Sequence, residues 1–299
     1  MNGYINLLKP PGMSSGAAVA VVKRLTGERV GHAGTLDPEA AGVLPIMIGR
    51  ATRVLDYFTD KSKSYAAQIA FAGETDTQDA QGVLVKACEK VPSREEVEEI
   101  LPRFCGNILQ RPPAYSAIKI GGKPLYALAR KGEMVEAKER ETEISSLTLG
   151  EHVAEDAFML YVDCGSGTYI RTLCHDIGCA LCSPAHMRFL LRTRHGSFSI
   201  ENSVTIEEVM QAAEQGKLEE MLLPMDYPLQ QMKQLHVDEK YATPVKNGAK
   251  LPLSLMQEAS EGEIFRVYLN GTLCGLYRKD EEVLHCCIGL YDTLGNRVF

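Results

Sequence analysis

Between Gly31 and Arg53 the chain reads GHAGTLDPEAAGVLPIMIGRATR, and this stretch restricts the fold more than any other. A residue before proline is sterically pushed out of the helical region, so Asp37 stands in an extended or turn conformation ahead of Pro38. It lies among Gly31, Ala33, Gly34 and Gly42 and is followed by the apolar run Gly42-Val-Leu-Pro-Ile-Met-Ile48. Such small neighbours let a bulky molecule approach the backbone closely. A free aspartate, with a pKa of about 4, is ionised and nucleophilic at neutral pH without a base beside it. Asp37 is therefore a candidate reactive group. Equally, it can cap the turn that begins at Pro38.

Around this stretch the local signals mix helices and strands. Ser14 or Ser15 can cap a helix through Ala17, Val21, Val22 and Leu25 that stops at Gly27. Tyr65–Phe71 has the pattern of a strand closed by Gly73, and Ser93-Arg-Glu-Glu96 is a capping box ahead of Val97, Ile100, Leu101 and Phe104. Arg111–Gly122 reads as a loop, and Pro124–Lys131 as a short helix stopped by Gly132. Phe158–Cys164 reads as a strand that turns at Gly165-Ser-Gly167 into a helix over Tyr169–Leu181, and Thr205-Ile-Glu-Glu208 opens another helix. After about residue 228 short strands dominate: Phe265–Leu269, Gly275–Tyr277 and Val283–Leu290, with a turn at Asn270-Gly271. The class expected is α+β, with a small β-rich unit at the C-terminal end and no internal repeat.

With 299 residues, 45% of them hydrophobic and 24% charged, the chain can build a substantial core and two domains. No apolar run of about 18 residues is present and the N-terminal segment is unlike a signal peptide, so a cytosolic location and no membrane partner are expected. Nine cysteines, an odd number, argue against a disulfide framework. Cys179-x-x-Cys182, near His175 and His186, has one half of a zinc spacing, and buried free thiols explain such cysteines better. The net charge of −7 hides a polarised distribution: residues 103–140 carry +5, residues 168–194 carry +3 and residues 201–240 carry −6. That distribution is compatible with RNA on one face and also with an ordinary mixed surface. There is no phosphate-binding glycine motif and no H-E-x-x-H, so an enzyme built on this chain is expected to work with side chains alone.

Two further groups stand out. Gly165-Ser-Gly-Thr-Tyr-Ile-Arg171 brings Tyr169 and Arg171 to the start of a helix, and arginine suits a desolvated carboxylate because it stays charged and binds both oxygens. Tyr65, at a strand end, can offer a ring face to a base and a hydroxyl to a proton. His32, beside Gly31, can reach a substrate. Each also has an ordinary structural explanation as a packing aromatic, a surface charge or an exposed imidazole.

Taken in order, Leu8-Lys-Pro-Pro-Gly-Met-Ser-Ser15, Gly31-His-Ala-Gly-Thr-Leu-Asp-Pro38 with Gly42-Val-Leu-Pro45 and Ala51-Thr-Arg53, Gly73-Glu-Thr-Asp-Thr-Gln-Asp79, Tyr115-Ser-Ala-Ile-Lys119 with Gly122-Lys-Pro-Leu-Tyr126, and Gly167-Thr-Tyr-Ile-Arg171 resemble the motifs of TruB-type tRNA pseudouridine synthases, which convert uridine 55 in the T-loop. The resemblance implies a catalytic domain over residues 1–230, with a mixed, mainly antiparallel sheet flanked by helices and an RNA-clasping insertion at about 106–145. It implies a PUA-like domain over residues 231–299, on looser similarity. By the same resemblance Asp37 is the catalytic aspartate, Arg171 its partner, Tyr65 the tyrosine that stacks on the uracil and assists proton transfer, and Tyr169 the tyrosine of the third motif. Lys9 shapes the site, Leu190 packs in it, and His32 enters the T-loop as the uridine leaves. Lys119, Lys123 and Arg130 of the basic insertion bind RNA. Many relatives carry Leu-Arg-Arg where this chain has Leu190-Leu191-Arg192, so Arg192 is expected to make the phosphate contact alone. The implied partner is the T-arm of tRNA, met by a monomer without guide RNA, metal or cofactor. A guide-RNA-dependent relative, a non-catalytic RNA-binding protein and a two-carboxylate glycosidase, for which Glu39 is the nearest second acid, are the alternatives.

Overall fold

A computed structural model of the chain describes residues 1–71, 73–116, 118–125, 135 and 137–291. Its first part is organised by one nine-stranded sheet. In chain order the strands are β1 (Gly3–Lys9), β2 (Val30–His32), β3 (Ala41–Ile48), β4 (Lys63–Ala70), a separate hairpin of β5 (Gly73–Thr75) and β6 (Leu84–Ala87), and β7 (Gly106–Gln110). There follow a two-residue hairpin of β8 (Lys119–Ile120) and β9 (Lys123–Pro124), then β10 (Arg140–Ala154), β11 (Ala157–Cys164), β12 (His186–His195) and β13 (Phe198–Ser199). The large sheet runs β1-β3-β12-β4-β11-β10-β7, with β2 beside β3 and β13 beside β12. Every pair is antiparallel except β12 with β3, so the sheet is mixed and mainly antiparallel, as expected.

Among the described residues, four helices flank the sheet: α1 (Ser15–Thr26), α2 (Arg94–Ile100), α3 (Ile170–Ala180) and α4 (Ile206–Glu214). Each begins close to where its sequence signal lies. The Ser14 hydroxyl accepts from the Ala17 amide, and Gly27 ends α1 at φ 68°, a conformation glycine adopts without a Cβ penalty. Ser93 with Glu96 and Thr205 with Glu208 form complete capping boxes. The buried faces of β1, β3, β4 and β11, among them Leu7, Leu44, Ile69 and Leu160, meet Leu173 and Ile177 of α3 and Val22 of α1 in one core. Each such side chain contributes about 1.5–3 kcal/mol by leaving water.

The chain then enters a five-stranded sheet, β14 (Gln234–Val237), β15 (Leu251–Pro252), β16 (Ile264–Leu269), β17 (Thr272–Lys279) and β18 (Val283–Gly289), in the order β14-β16-β17-β18-β15. Asn270 and Gly271, both at positive φ, make the tight turn between β16 and β17. This β-rich unit follows the predicted texture change. It packs on the first part through Leu229, Tyr268, Leu273, Leu276 and Leu290 against Tyr4, Val43, Phe58 and Phe198.

The long strands β10 and β12 were not evident from local pattern: β10 is mostly exposed along its length and β12 carries five charged or histidine side chains among ten residues. The two ends of the expected 106–145 insertion are strands, since β7 pairs with β10 from Gln110↔Arg140 to Gly106↔Ile144. The short helix expected at Pro124–Lys131 falls largely outside the described residues.

Candidate active site

The loop between β2 and β3 carries Asp37, and several groups hold it by its backbone. The Ser15 hydroxyl donates to the Leu36 carbonyl at 3.0 Å and accepts from the Leu36 amide at 2.9 Å. Lys9, fully buried, donates from Nζ to the carbonyls of Pro10, Met13 and Pro38 at 2.7, 2.6 and 3.0 Å. Lys9 therefore acts on the shape of the loop, and its burial pushes the ammonium down to about 8 against the pull of Glu39 and Asp37. The Asp37 backbone closes the turn by accepting from the Ala40 amide at 3.1 Å.

Arg171, in the first turn of α3, reaches the aspartate bidentately. Its Nε lies 3.0 Å from Asp37 Oδ2, and its Nη2 donates to Oδ1 at 3.1 Å. The same guanidinium donates to the carbonyls of Tyr115 at 3.0 Å and Thr77 at 3.3 Å, and its Nη1 lies 3.8 Å from Asp79 Oδ2. The arginine side chain is 6% exposed and the aspartate side chain 36%, so the cation is locked in the protein while the carboxylate faces outward. Burial raises the Asp37 carboxyl above its ordinary value, Arg171 and Lys9 pull it back, and Asp79 adds to the rise. The compensation by Arg171 is thus incomplete. Asp79 is a residue whose place in the site its motif alone did not reveal; Thr77 Oγ1 and the Gln81 amide donate to its carboxylate.

The cleft in front of Asp37 is lined by Glu39, Asp79, Gln81, Phe189 and Leu190. Leu190 is buried, as expected of a packing residue. Tyr65 lies in β4 opposite Arg192, and burial pushes its phenol up to about 12, with the Asp37 charge contributing in the same direction and Arg192 opposing. Tyr169 immediately precedes α3; its amide donates to Gln110 Oε1 at 2.9 Å, and burial raises its phenol. His32 ends β2, with a buried Nδ1 that has no hydrogen-bond partner among the described residues, and burial together with the Arg192 cation lowers its pKa.

Other expected residues fall elsewhere. Arg192 is fully buried: its Nε donates to the Val43 carbonyl at 2.7 Å and its Nη2 to the Gly34 carbonyl at 2.8 Å. The phosphate contact expected of it needs an exposed guanidinium, and this one is committed to the interior. Lys119 and Lys123 have described backbones in the β8–β9 hairpin, but their side chains, like all of Arg130, lie outside the described residues. Among the described residues the cysteine spacing gathers no ligand set. Cys179 and Cys182 are exposed, Cys174 is buried, and the buried His186 ring sits 2.7 Å from the Gly73 carbonyl.

Comparison with known proteins adds an independent observation. Residues 23–170 match the N-terminal domain of TruB family pseudouridylate synthase, and residues 171–230 match the tRNA pseudouridylate synthase B C-terminal domain. The chain is 46% identical over 252 residues to the tRNA pseudouridine synthase B of Alkaliphilus oremlandii, covering 84% of this chain and 83% of that protein. It is 42% identical over 293 residues to the tRNA pseudouridine synthase B of Heliobacterium modesticaldum, covering 95% and 94%. A solved Cbf5-Nop10-Gar1 complex contains a similar chain, with a TM-score of 0.72 at 26% identity, covering 97% of this chain and 84% of that one.

Proposed function

The chain belongs to the TruB family of pseudouridylate synthases, and from that premise we propose that it converts uridine 55 in the T-loop of elongator tRNAs to pseudouridine. The observation that carries this reading is the bidentate Asp37–Arg171 pair, which leaves the carboxylate facing a cleft walled by Leu190. The reaction is an isomerisation: the N1–C1′ bond breaks, a C5–C1′ bond forms, the proton on C5 leaves and N1 gains one. A stacked base cannot reach the carboxylate, so the uridine flips out at a cost of a few kcal/mol. Tyr65 replaces part of the lost stacking, worth about 1–3 kcal/mol, and His32 fills the vacated place in the loop. Asp37 then labilises the glycosidic bond, by attack or by initiating proton removal from the sugar. Arg171 holds it in one orientation throughout, and Leu190 and its neighbours keep water from the sugar while the uracil turns.

The enzyme works in the cytoplasm as a monomer, needing no guide RNA. Its insertion at about 106–145 closes on the RNA with Lys119, Lys123 and Arg130, and its C-terminal β unit serves as a PUA-like RNA-binding domain. The relatives named tRNA pseudouridine synthase B are closer in sequence than Cbf5, which favours stand-alone action. The test is pseudouridine formation in an unmodified tRNA transcript and in an isolated T-arm hairpin, with no other RNA or protein added. Conversion of both at the T-loop uridine is expected. Conversion only when a guide RNA is supplied would overturn stand-alone action, and none under either condition would overturn the function.

A further inference from the structure

Arg192 is the largest fully buried side chain that the reaction described above does not use. Its strand position is unusual for a cation. In β12 it is paired with Gly42 of β3 on one side and with Tyr65 of β4 on the other, so it lies between the strand leading from Asp37 and the strand bearing the tyrosine. Its fork grips the first of these. Nε and Nη2 donate to the carbonyls of Val43 and Gly34, which stand at the two ends of the Asp37 loop, while its backbone stays in register with Tyr65 of β4.

Both ends of that loop are shaped to admit the arginine. Gly34, at φ 70°, has no room for a side chain: a Cβ there would come within 3.3 Å of Arg192 Nη1 and 3.0 Å of the His195 ring. Gly42, at φ 116°, lies so close that a Cβ would stand 2.2 Å from the Arg192 carbonyl oxygen. Among the described residues no carboxylate pairs with this guanidinium, whose hydrogen bonds go to two carbonyl oxygens. A buried cation without a counter-ion costs stability, so a purely structural role is served more cheaply by an apolar side chain.

We propose that Arg192 is a positioning residue for the uridine isomerisation: it fixes the Asp37 loop against the Tyr65 strand and so sets the gap in which the flipped uracil is held between aspartate and tyrosine. This rests on the function proposed above. Lysine cannot replace it, because a single ammonium does not reproduce the planar fork that reaches both carbonyls at once. Displacement of a reacting group by about 1 Å costs on the order of 100-fold in rate.

The experiment compares wild-type full-length chain with Arg192→Lys, Tyr65→Phe and the double variant. It measures tRNA affinity and the rate of pseudouridine formation at saturating enzyme, with a crystal structure of Arg192→Lys as a separate arm. The expected result is a rate lowered about 100-fold in Arg192→Lys with tRNA Kd within about threefold. Tyr65→Phe is expected to lose about tenfold, and Arg192→Lys to cost less in that background than in wild type, since both act on the one gap between aspartate and tyrosine. The 34–42 loop is expected to shift relative to β4 in the crystal. A weakened Kd with an unchanged saturating rate would return Arg192 to phosphate binding and overturn the proposal. So would additive effects in the double variant, or an unmoved loop. If Arg192→Lys does not fold, a Tyr65→Phe chain with wild-type rate overturns it. If wild type forms no pseudouridine, the function has failed, and the loop position in the crystal alone decides whether Arg192 positions it.

Discussion

Asp37 keeps two good hydrogen bonds from Arg171 while burial works against its charge, and the second effect is the larger. The sign of that balance sets a pH dependence. A carboxyl raised above its ordinary value of about 4 must lose its proton before it can act, so the acid limb of kcat/KM is expected above pH 4. Arg171→Gln removes the cation that pulls the pKa down and is expected to move the limb to higher pH, along with a rate loss of about 100-fold or more. Rates between pH 4.5 and 8 check both. A limb that stays in place in Arg171→Gln would show that Asp37 is not the group titrating. The pairing of Asp37 with Arg171 was legible in the sequence only through the shared motifs, since the two are 134 positions apart and each alone has an ordinary explanation. The burial of Arg192 was not legible at all. Arginine in an alternating strand normally points to solvent, and only the two glycines that make room for it set this case apart.

At the scale of elements, the site exists because a loop and two strands are locked together around β12. Gly42 is the tightest point of that lock. Gly42→Ala puts a Cβ against the Arg192 backbone at a positive φ, and a stability loss of more than about 2 kcal/mol is expected in urea unfolding followed by circular dichroism. Thr205→Ala, at the mouth of α4, removes one capping box and is expected to cost about 1 kcal/mol in the same measurement. The helices were readable because their caps and stripes are local. Ser14, Ser93 and Thr205 mark real starts, and Tyr169 and Gly27 stand within a residue of real ends. β10 and β12 escaped notice because what makes them strands is their neighbours. β12 is held by β4 and β3 on its two sides, and its side chains answer to the site and the core together.

For the molecule as a whole, the two sheets share a core, so stability should be shared as well. Leu276 is fully buried in that joint, and Leu276→Ala is expected to lower stability by about 2–5 kcal/mol while both sheets still unfold together. His195 adds a pH term. Buried beside Arg192 and Lys63, it is pushed down to about 3, first by burial and then by these cations. The folded chain keeps it neutral while the unfolded chain protonates it near pH 6.5, so stability is lost as pH falls below that value. Between pH 7 and 5 this one group is expected to remove about 2 kcal/mol, a loss absent from His195→Gln. The polarised charge seen in the sequence remains a statement about surfaces; the basic 103–140 segment only in part leaves the sheet. All of this stands on Asp37 as the group that opens the glycosidic bond. The most direct test is pseudouridine formation at uridine 55 of an unmodified tRNA by wild type and by Asp37→Asn, with tRNA affinity measured in parallel. Full conversion by wild type, a rate at least about 1,000-fold lower in Asp37→Asn, and a Kd changed by no more than about threefold are expected. Substantial turnover by Asp37→Asn would contradict the assignment.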